Sequence, residues 1–336
     1  PEPTDEVRGG LAVLEQSLWK ALPRFLRRLD RALLECCGSA LPIDARPIRF
    51  GSWMGGDRDG NPNVTAEETR KSIRLCRWTA AKLLHDEVDA LCQELSMDTA
   101  TSKMVAVAGT SREPYRAILR RERQRLTDAM RAIEADLEGR PRPEGQPRED
   151  VAGLLEILMA TRRSLVATGQ EVIANGRLLD LIRRVHCFGL HMVPLDIRQE
   201  SSRHVDALDC ITRHLDLGSY AEWDEARRVD FLIDELASKR PLIPANLPAS
   251  PEVREVLDTF RMLSEVPADS LGAYVISMTR GPSDVLAVEL LQRESGVRKP
   301  LRVVPLFETI NDLRNADRIM ATLLDLPWYC CLLYTS

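Results

Sequence analysis

Four short apolar segments interrupt a sequence that otherwise shows helical periodicity, and they constrain the fold more than any other feature. They are RFGSWMGGD (49–57), HMVPLDIRQE (191–200), GAYVISMT (272–279) and RVVPLFET (302–309). The last three are apolar runs rich in Val, Ile or Phe, which is typical of strands buried on both faces. The first is less regular, and its position is the main reason to assign it as a strand. The sequence therefore predicts a buried sheet within a mostly helical chain.

The last two segments enclose a βαβ unit. Arg280–Pro282 leads from GAYVISMT into a predicted helix over 283–294, and Gly296 ends that helix before RVVPLFET. The other spacings are longer and hold several helices. Repeated strand–helix units predict an α/β fold that is predominantly helical. It would be either an open doubly wound sheet or a partial (β/α)₈ TIM-type barrel, with about four of eight strands and large helical insertions.

Composition narrows the functional class. The chain has 336 residues, and 46 Lys and Arg against 51 Asp and Glu give a net charge of −5 with His neutral. This balance argues against a general nucleic-acid binder, which would carry a basic excess. No apolar run approaches the ~18 residues of a membrane span, and the first residues do not form a secretory signal. The eight cysteines lack metal-ligand spacing and are expected to be free thiols, and the five histidines are expected to be structural.

The segment FGSWMGGDRDGNPNVT (50–65) is the densest local signal. Its glycines, Gly55 among them, allow close backbone approach or a positive φ. Asp57 and Arg58 bring charge next to Trp53, which is expected to be exposed. The alternative is an ordinary glycine-rich loop whose Asp side chains bond their own backbone. The spacing fits neither an EF-hand nor a phosphate-binding P-loop.

Arg198, in LDIRQES, and Glu308, in VVPLFET, lie where predicted strands end. An arginine there is costly to desolvate unless it meets an anion, and its planar fork matches a phosphate or a carboxylate. A glutamate there could hold a hard divalent cation such as Mg²⁺. The alternative for each is a structural ion pair, for Arg198 with Asp57, Asp196 or Glu200. Together the two residues would suit a phosphorylated, metal-chelated small anion.

Several segments, taken in chain order, resemble bacterial members of the phosphoenolpyruvate carboxylase family: FGSWMGGDRDGNPNVT, ANGRLLDLIRRVHCFG, LDIRQES, SKRPL, EVLDTF, AYVISMT with PSDVLAVELL, and PLFETINDL. The resemblance runs from about residue 8 to Tyr329. It implies a cytoplasmic, Mg²⁺- or Mn²⁺-dependent lyase that is a homotetramer when complete. Such an enzyme converts phosphoenolpyruvate and bicarbonate to oxaloacetate and phosphate, through carboxyphosphate and a metal-stabilised enolate, and supplies the tricarboxylic acid cycle. Neither nucleic acid nor membrane is an expected partner.

The resemblance also implies residue roles. Arg198 matches the active-site arginine that binds the substrate phosphate, and Glu308 matches one of two carboxylates that hold the metal. Trp53 would line the substrate pocket, with Asp57 and Arg58 beside it as further substrate-binding residues.

The resemblance further implies an internal fragment that is inactive alone. The family's TAHPTE segment with its catalytic His would precede residue 1, and the second metal carboxylate and a glycine-rich mobile loop would follow. Residues 1–329 would be the internal part of one barrel domain, with a helical insertion over about 61–188 and a Pro-rich surface linker over 139–150. Residues 330–336 (CCLLYTS) do not resemble the family at this point and would be an atypical tail of non-native origin. Two alternatives stay open: a non-catalytic helical interaction module on the same scaffold, and another barrel enzyme that handles phosphoenolpyruvate or pyruvate.

Overall fold

The computed structural model describes residues 3–143 and 151–335 and shows a predominantly helical α/β chain, which confirms the predicted class. Of the predicted linker 139–150, residues 144–150 lie outside the described residues. In chain order the helices and strands are α1 (Pro3–Val13), a π-helical turn (Leu14–Leu18), α2 (Trp19–Cys37), α3 (Ala66–Glu94), α4 (Ser102–Ala108), α5 (Pro114–Leu137), α6 (Ala152–Ala167), α7 (Glu171–Ala174), α8 (Arg177–Phe188), β1 (Leu195–Glu200), α9 (Ser201–His214), α10 (Glu225–Ala237), α11 (Pro251–Glu265), β2 (Leu271–Ser277), α12 (Pro282–Glu294), β3 (Val303–Pro305), α13 (Ile310–Asp325) and α14 (Pro327–Thr335).

The chain divides into two compact units. One is built mainly from residues 51–70 and 194–336 and contains the sheet, and the other is built mainly from 4–50 and 71–193 and is helical. An aromatic pair marks the core of the helical unit, where the rings of Trp19 and Phe188 lie 5.1 Å apart. Among the described residues, no helix combines the length and the apolar character needed to cross a membrane.

The sheet has three parallel strands in the order β1–β2–β3. Arg198 of β1 lies beside Val275 of β2, and Tyr274 of β2 lies beside Val303 of β3. The predicted βαβ unit is confirmed, because β2, the buried helix α12 and β3 follow one another with the two strands parallel. Parallel strands end at one edge of their sheet, so the polar residues that follow β1, β2 and β3 share that edge.

The first predicted strand, over 49–57, is not a regular strand. Ser52 and Asp57 each form an isolated parallel bridge, with Leu195 and Arg198 of β1 respectively. Between the two bridges this segment contains more residues than the facing part of β1, so regular strand pairing is interrupted there. It therefore extends the sheet beyond β1 through two isolated bridges rather than through a continuous ladder.

A tight turn accounts for this interruption. The N–H of Gly56 donates to the carbonyl of Trp53 at 2.9 Å, and Gly55 has a φ of 81°. That left-handed φ suits glycine, which has no Cβ to clash. The turn leaves the Trp53 side chain outside the core, where 50% of its surface is exposed.

A buried aromatic cluster supports the back of the sheet. His204 on α9 is fully buried, its Nε2 lies 2.8 Å from the hydroxyl of Tyr274, and Phe260 of α11 stacks on Tyr274. Burial lowers the pKa of His204 to about 3, so the ring is neutral under physiological conditions. Burial against Phe260 and Tyr274 favours the structural role expected for this histidine.

Candidate active site

The backbone of residues 52–58, here called the glycine loop, is joined to β1 at its end. The N–H of Arg198 donates to the carbonyl of Gly56 at 2.8 Å, and the N–H of Arg58 donates to the carbonyl of Arg198 at 3.0 Å. A Cβ on Gly56 would lie 2.1 Å from the carbonyl oxygen of Asp196. Only glycine therefore allows this approach, which brings the loop against the end of β1.

We expect Gly56→Ala to destabilise the 336-residue chain by about 1–3 kcal/mol, because the new methyl group must displace backbone rather than a flexible side chain. Gly51→Ala is the matched control, since a Cβ at Gly51 meets no atom within 4 Å. The free energy of unfolding in urea should fall for Gly56→Ala and change by less than about 0.5 kcal/mol for Gly51→Ala. Equal stability of the two variants would contradict the close approach.

The guanidinium of Arg198 lies between the Trp53 ring and the Asp57 carboxylate. Its Cζ lies 4.7 Å from the centroid of the Trp53 ring, a distance typical of cation–π contact. Its Nη1 lies 3.7 Å from Oδ2 of Asp57, which is too long for a hydrogen bond.

The guanidinium of Arg198 makes no hydrogen bond within residues 3–143 and 151–335, and its buried Nε is one of the unpaired atoms. About 30% of the side chain is exposed. A charged, planar donor group that is held in place and makes no hydrogen bond to the protein can donate two parallel hydrogen bonds to an oxyanion.

Arg58 faces the protein interior instead. Only 7% of its surface is exposed, its Nη1 donates to the carbonyl of Gly56 at 3.1 Å, and its Nη2 donates to Oγ1 of Thr69 at 2.8 Å. Burial lowers the pKa of Arg58, and the nearby carboxylates of Glu255 and Asp57 oppose that change. Asp57 therefore lies beside Arg198, while the Arg58 side chain donates to the carbonyl of Gly56 and to Thr69 of α3.

Glu308 lies just beyond β3, and its carboxylate is bound to the end of β2. Its Oε2 accepts a hydrogen bond from the N–H of Met278 at 2.9 Å. Met278 has a φ of 56°, which is unusual for a residue with a side chain, and its carbonyl accepts from Oγ of Ser201 at 2.8 Å. Hydrogen bonds therefore link the residues that follow β1, β2 and β3.

The carboxylate of Glu308 could provide one ligand to a divalent cation. In the described part of the chain its Oε1 makes no hydrogen bond, so one oxygen is available. The neighbouring Asp312 caps the start of α13 instead. Hydrogen bonds with the side chain and backbone of Thr309 lower the pKa of its carboxyl group. No group of three or more His, Cys, Asp or Glu side chains within the described ranges is arranged to hold a metal.

The structure thus brings Trp53, Asp57 and Arg198 together and places Glu308 on the same edge of the sheet, two strands away. Sequence reasoning did not find the parts played by Thr69 and Met278. Thr69 is one of several polar residues in the first turns of a helix. Met278 has a left-handed backbone conformation, which the presence of a methionine does not predict.

Comparison with known proteins gives a match along the chain. The family model described as phosphoenolpyruvate carboxylase matches residues 1–336. A curated relative with that name from Hahella chejuensis (strain KCTC 2396) is 51% identical over 330 residues, which cover 98% of this chain and 37% of that protein.

Two further relatives carry the same name. The protein from Edwardsiella ictaluri (strain 93-146) is 50% identical over 333 residues, and the one from Pseudomonas aeruginosa PAO1 is 52% identical over 330 residues. Each match covers 98% of this chain and 38% of the relative. The chain thus spans well under half the length of the curated relatives that it matches. Because the family model matches its whole length, this chain belongs to the phosphoenolpyruvate carboxylase family.

Proposed function

We propose that the complete protein containing this chain is a phosphoenolpyruvate carboxylase, and that this chain supplies part of its active site. The substrates would be phosphoenolpyruvate and bicarbonate, and the products oxaloacetate and phosphate. Family membership supports this proposal, as does the arrangement of Arg198 and Glu308 on one edge of a parallel sheet.

The observation that carries the proposal is the state of Arg198. Its guanidinium contacts the Trp53 ring and forms a 3.7 Å ion pair with Asp57, yet it makes no hydrogen bond within the described residues. Arg198 forms an ion pair with Asp57, but its 3.7 Å separation is too long for a hydrogen bond, so the guanidinium can still donate to another acceptor. A guanidinium without hydrogen bonds to the protein, at the carboxyl edge of a parallel sheet, is suited to bind the phosphoryl group of a substrate.

In the proposed reaction an oxygen of bicarbonate attacks the phosphorus of phosphoenolpyruvate. The bond between phosphorus and the enol oxygen breaks, which leaves carboxyphosphate and the enolate of pyruvate. Carboxyphosphate separates into CO₂ and phosphate, and carbon 3 of the enolate attacks CO₂ to give oxaloacetate. Arg198 would donate to the phosphoryl oxygens throughout the first step, and Trp53 would keep the guanidinium in place and shield it from water.

Glu308 would hold the divalent cation, Mg²⁺ or Mn²⁺, through its free oxygen while Met278 N–H fixes the other one. When bound, the cation supplies positive charge that favours formation of the enolate. Further ligands would come from substrate oxygens and from parts of the complete protein outside this chain.

The proposal extends to the fold and the assembly. The sheet, with the glycine loop on the outer side of β1, would be four consecutive strands of a (β/α)₈ barrel, and the helices within residues 61–188 would be an insertion into it. The complete enzyme would be a cytoplasmic homotetramer with neither nucleic acid nor membrane as a partner. The all-parallel strand order supports the barrel, because barrel strands run parallel.

Purified complete protein tests the function directly. With phosphoenolpyruvate, bicarbonate and Mg²⁺ present, we expect oxaloacetate and phosphate in equal amounts, measured by coupled malate dehydrogenase and by phosphate release. Omission of bicarbonate should stop both. Phosphate release with pyruvate as the carbon product would instead indicate a different phosphoenolpyruvate-handling enzyme, and no turnover at all would favour a non-catalytic module.

A further inference from the structure

We propose that Arg58 and Thr69 are positioning residues. They would hold the glycine loop so that the Trp53 ring and the Asp57 carboxylate lie against the guanidinium of Arg198. The proposal rests on the proposed function, because this placement affects catalysis only if Arg198 binds the substrate. It gives Arg58 a different part from the direct substrate contact expected from the sequence.

Four hydrogen bonds form a closed network around the turn. The hydroxyl of Thr69 donates to the carbonyl of Gly55 at 2.8 Å and accepts from Nη2 of Arg58 at 2.8 Å. Nη1 of Arg58 donates to the carbonyl of Gly56 at 3.1 Å, and that same carbonyl accepts from the N–H of Arg198 at 2.8 Å. Arg58 and Thr69 therefore hold the carbonyls of Gly56 and Gly55 by hydrogen bonds.

Thr69 is held in place because the first residues of α3 are bonded to α11. Thr69 is fully buried in the first turns of α3, and the N–H of Ala66 donates to Oε1 of Glu255 on α11 at 2.6 Å. The negative charge of Glu255 also favours the charged form of the buried Arg58. The glycine loop is thus tied, through Thr69 and Arg58, to two helices rather than to solvent.

Trp53 depends on this backbone for its position. Half of its surface is exposed, so packing holds only one side of the ring. Its carbonyl accepts a hydrogen bond from the N–H of Gly56. The turn that Arg58 and Thr69 hold therefore also fixes the backbone from which the Trp53 side chain projects. If the network opened, the Trp53 ring and Asp57 would no longer be fixed against Arg198.

The substitution Thr69→Val tests the network, because valine keeps the shape but leaves Nη2 of Arg58 and the carbonyl of Gly55 without their buried partner. Thr212→Val is the matched control. Thr212 is equally buried in α9, and its hydroxyl donates to the carbonyl of Asp209 and accepts from the N–H of Tyr220, neither of which belongs to the glycine loop.

The first measurement needs no catalysis. Acrylamide quenching of Trp53 is obtained for each 336-residue variant as the difference from the same chain carrying Trp53→Phe. We expect Thr69→Val to raise the quenching constant of Trp53 and Thr212→Val to leave it at the parent value, with Thr69→Ser restoring the parent value through its hydroxyl.

The second measurement uses the complete enzyme. There kcat should fall by roughly 10–100-fold for Thr69→Val, because small displacements of catalytic groups cost rates of that order. Thr212→Val should keep the parent kcat even if it lowers thermal stability.

Equal quenching constants for Thr69→Val and Thr212→Val would overturn the positioning role. If Thr69→Val does not fold, Arg58→Lys takes its place, since lysine keeps the charge but cannot reach both Gly56 and Thr69 with a planar fork; parent quenching in that variant would likewise overturn it. A normal rate in Arg198→Ala would contradict the proposed function instead, and the quenching result would still stand.

Discussion

Arg198→Ala in the complete enzyme is expected to lower kcat by ~10²–10³, equivalent to roughly 3–4 kcal/mol of transition-state stabilisation. The guanidinium lies against Trp53 and makes no hydrogen bond within the described residues, so its N–H groups can donate to the phosphoryl group of the substrate. Steady-state kinetics at saturating bicarbonate and Mg²⁺ measure the effect. The melting temperature should change little while kcat falls, because the Arg198 side chain makes no hydrogen bond within the described residues.

Two further variants separate charge from geometry. Arg198→Lys keeps the positive charge without the planar fork, and we expect it to recover only part of the lost rate. Arg213→Ala removes an exposed arginine of α9 that bonds Asp209, and it should leave kcat at the parent value. A folded Arg198→Ala enzyme with near-normal turnover would show that Arg198 only pairs with Asp57 as a structural ion pair.

The strand ends of this fold could be predicted because their signal is local. LDIRQES and VVPLFET each carry an apolar run followed by a charged residue, and an ordered sequence of strand, Pro-initiated helix and strand leaves little topological choice. The structure has Arg198 and Glu308 on one edge of a parallel sheet for that reason. Their chemical roles came from family resemblance rather than from spacing.

The glycine loop could be predicted only in part, because its conformation depends on contacts distant in sequence. The composition of residues 50–65 indicates a flexible backbone but not a turn inside a strand. That turn exists because Gly56 must approach Asp196 of β1 closely, and β1 lies more than a hundred residues away. Hence a continuous strand over 49–57 was the wrong expectation.

The direction of the Arg58 side chain could not be predicted either. Asp57 and Arg58 are adjacent, and in an extended segment adjacent side chains point to opposite faces, so only one of them can meet Arg198. Sequence alone does not say which one. The burial of Arg58 follows from Thr69 being placed beside it by α3, a tertiary contact without a sequence signature.

Replacing Glu308 with glutamine should raise the Mg²⁺ concentration needed for half-maximal activity of the complete enzyme by at least ~10-fold. The side-chain carbonyl of Gln can still accept the N–H of Met278, so the link between the ends of β2 and β3 persists. What is lost is the negative charge on the remaining oxygen, and Mg²⁺ binds neutral amide oxygens less strongly than carboxylates. Direct Mn²⁺ binding, followed by electron paramagnetic resonance, should weaken in parallel without any turnover.

The matched control for Glu308→Gln is Asp317→Asn, which removes one carboxylate charge from an exposed position on the following helix, α13. A general effect of net charge on cation binding would shift both variants equally, whereas a ligand role shifts only Glu308→Gln. An unchanged metal titration together with lower thermal stability in Glu308→Gln would mean that the carboxylate serves the fold through Met278. The ends of β2 and β3 would then be joined for stability alone, and the metal would have to be held by other residues of the complete enzyme.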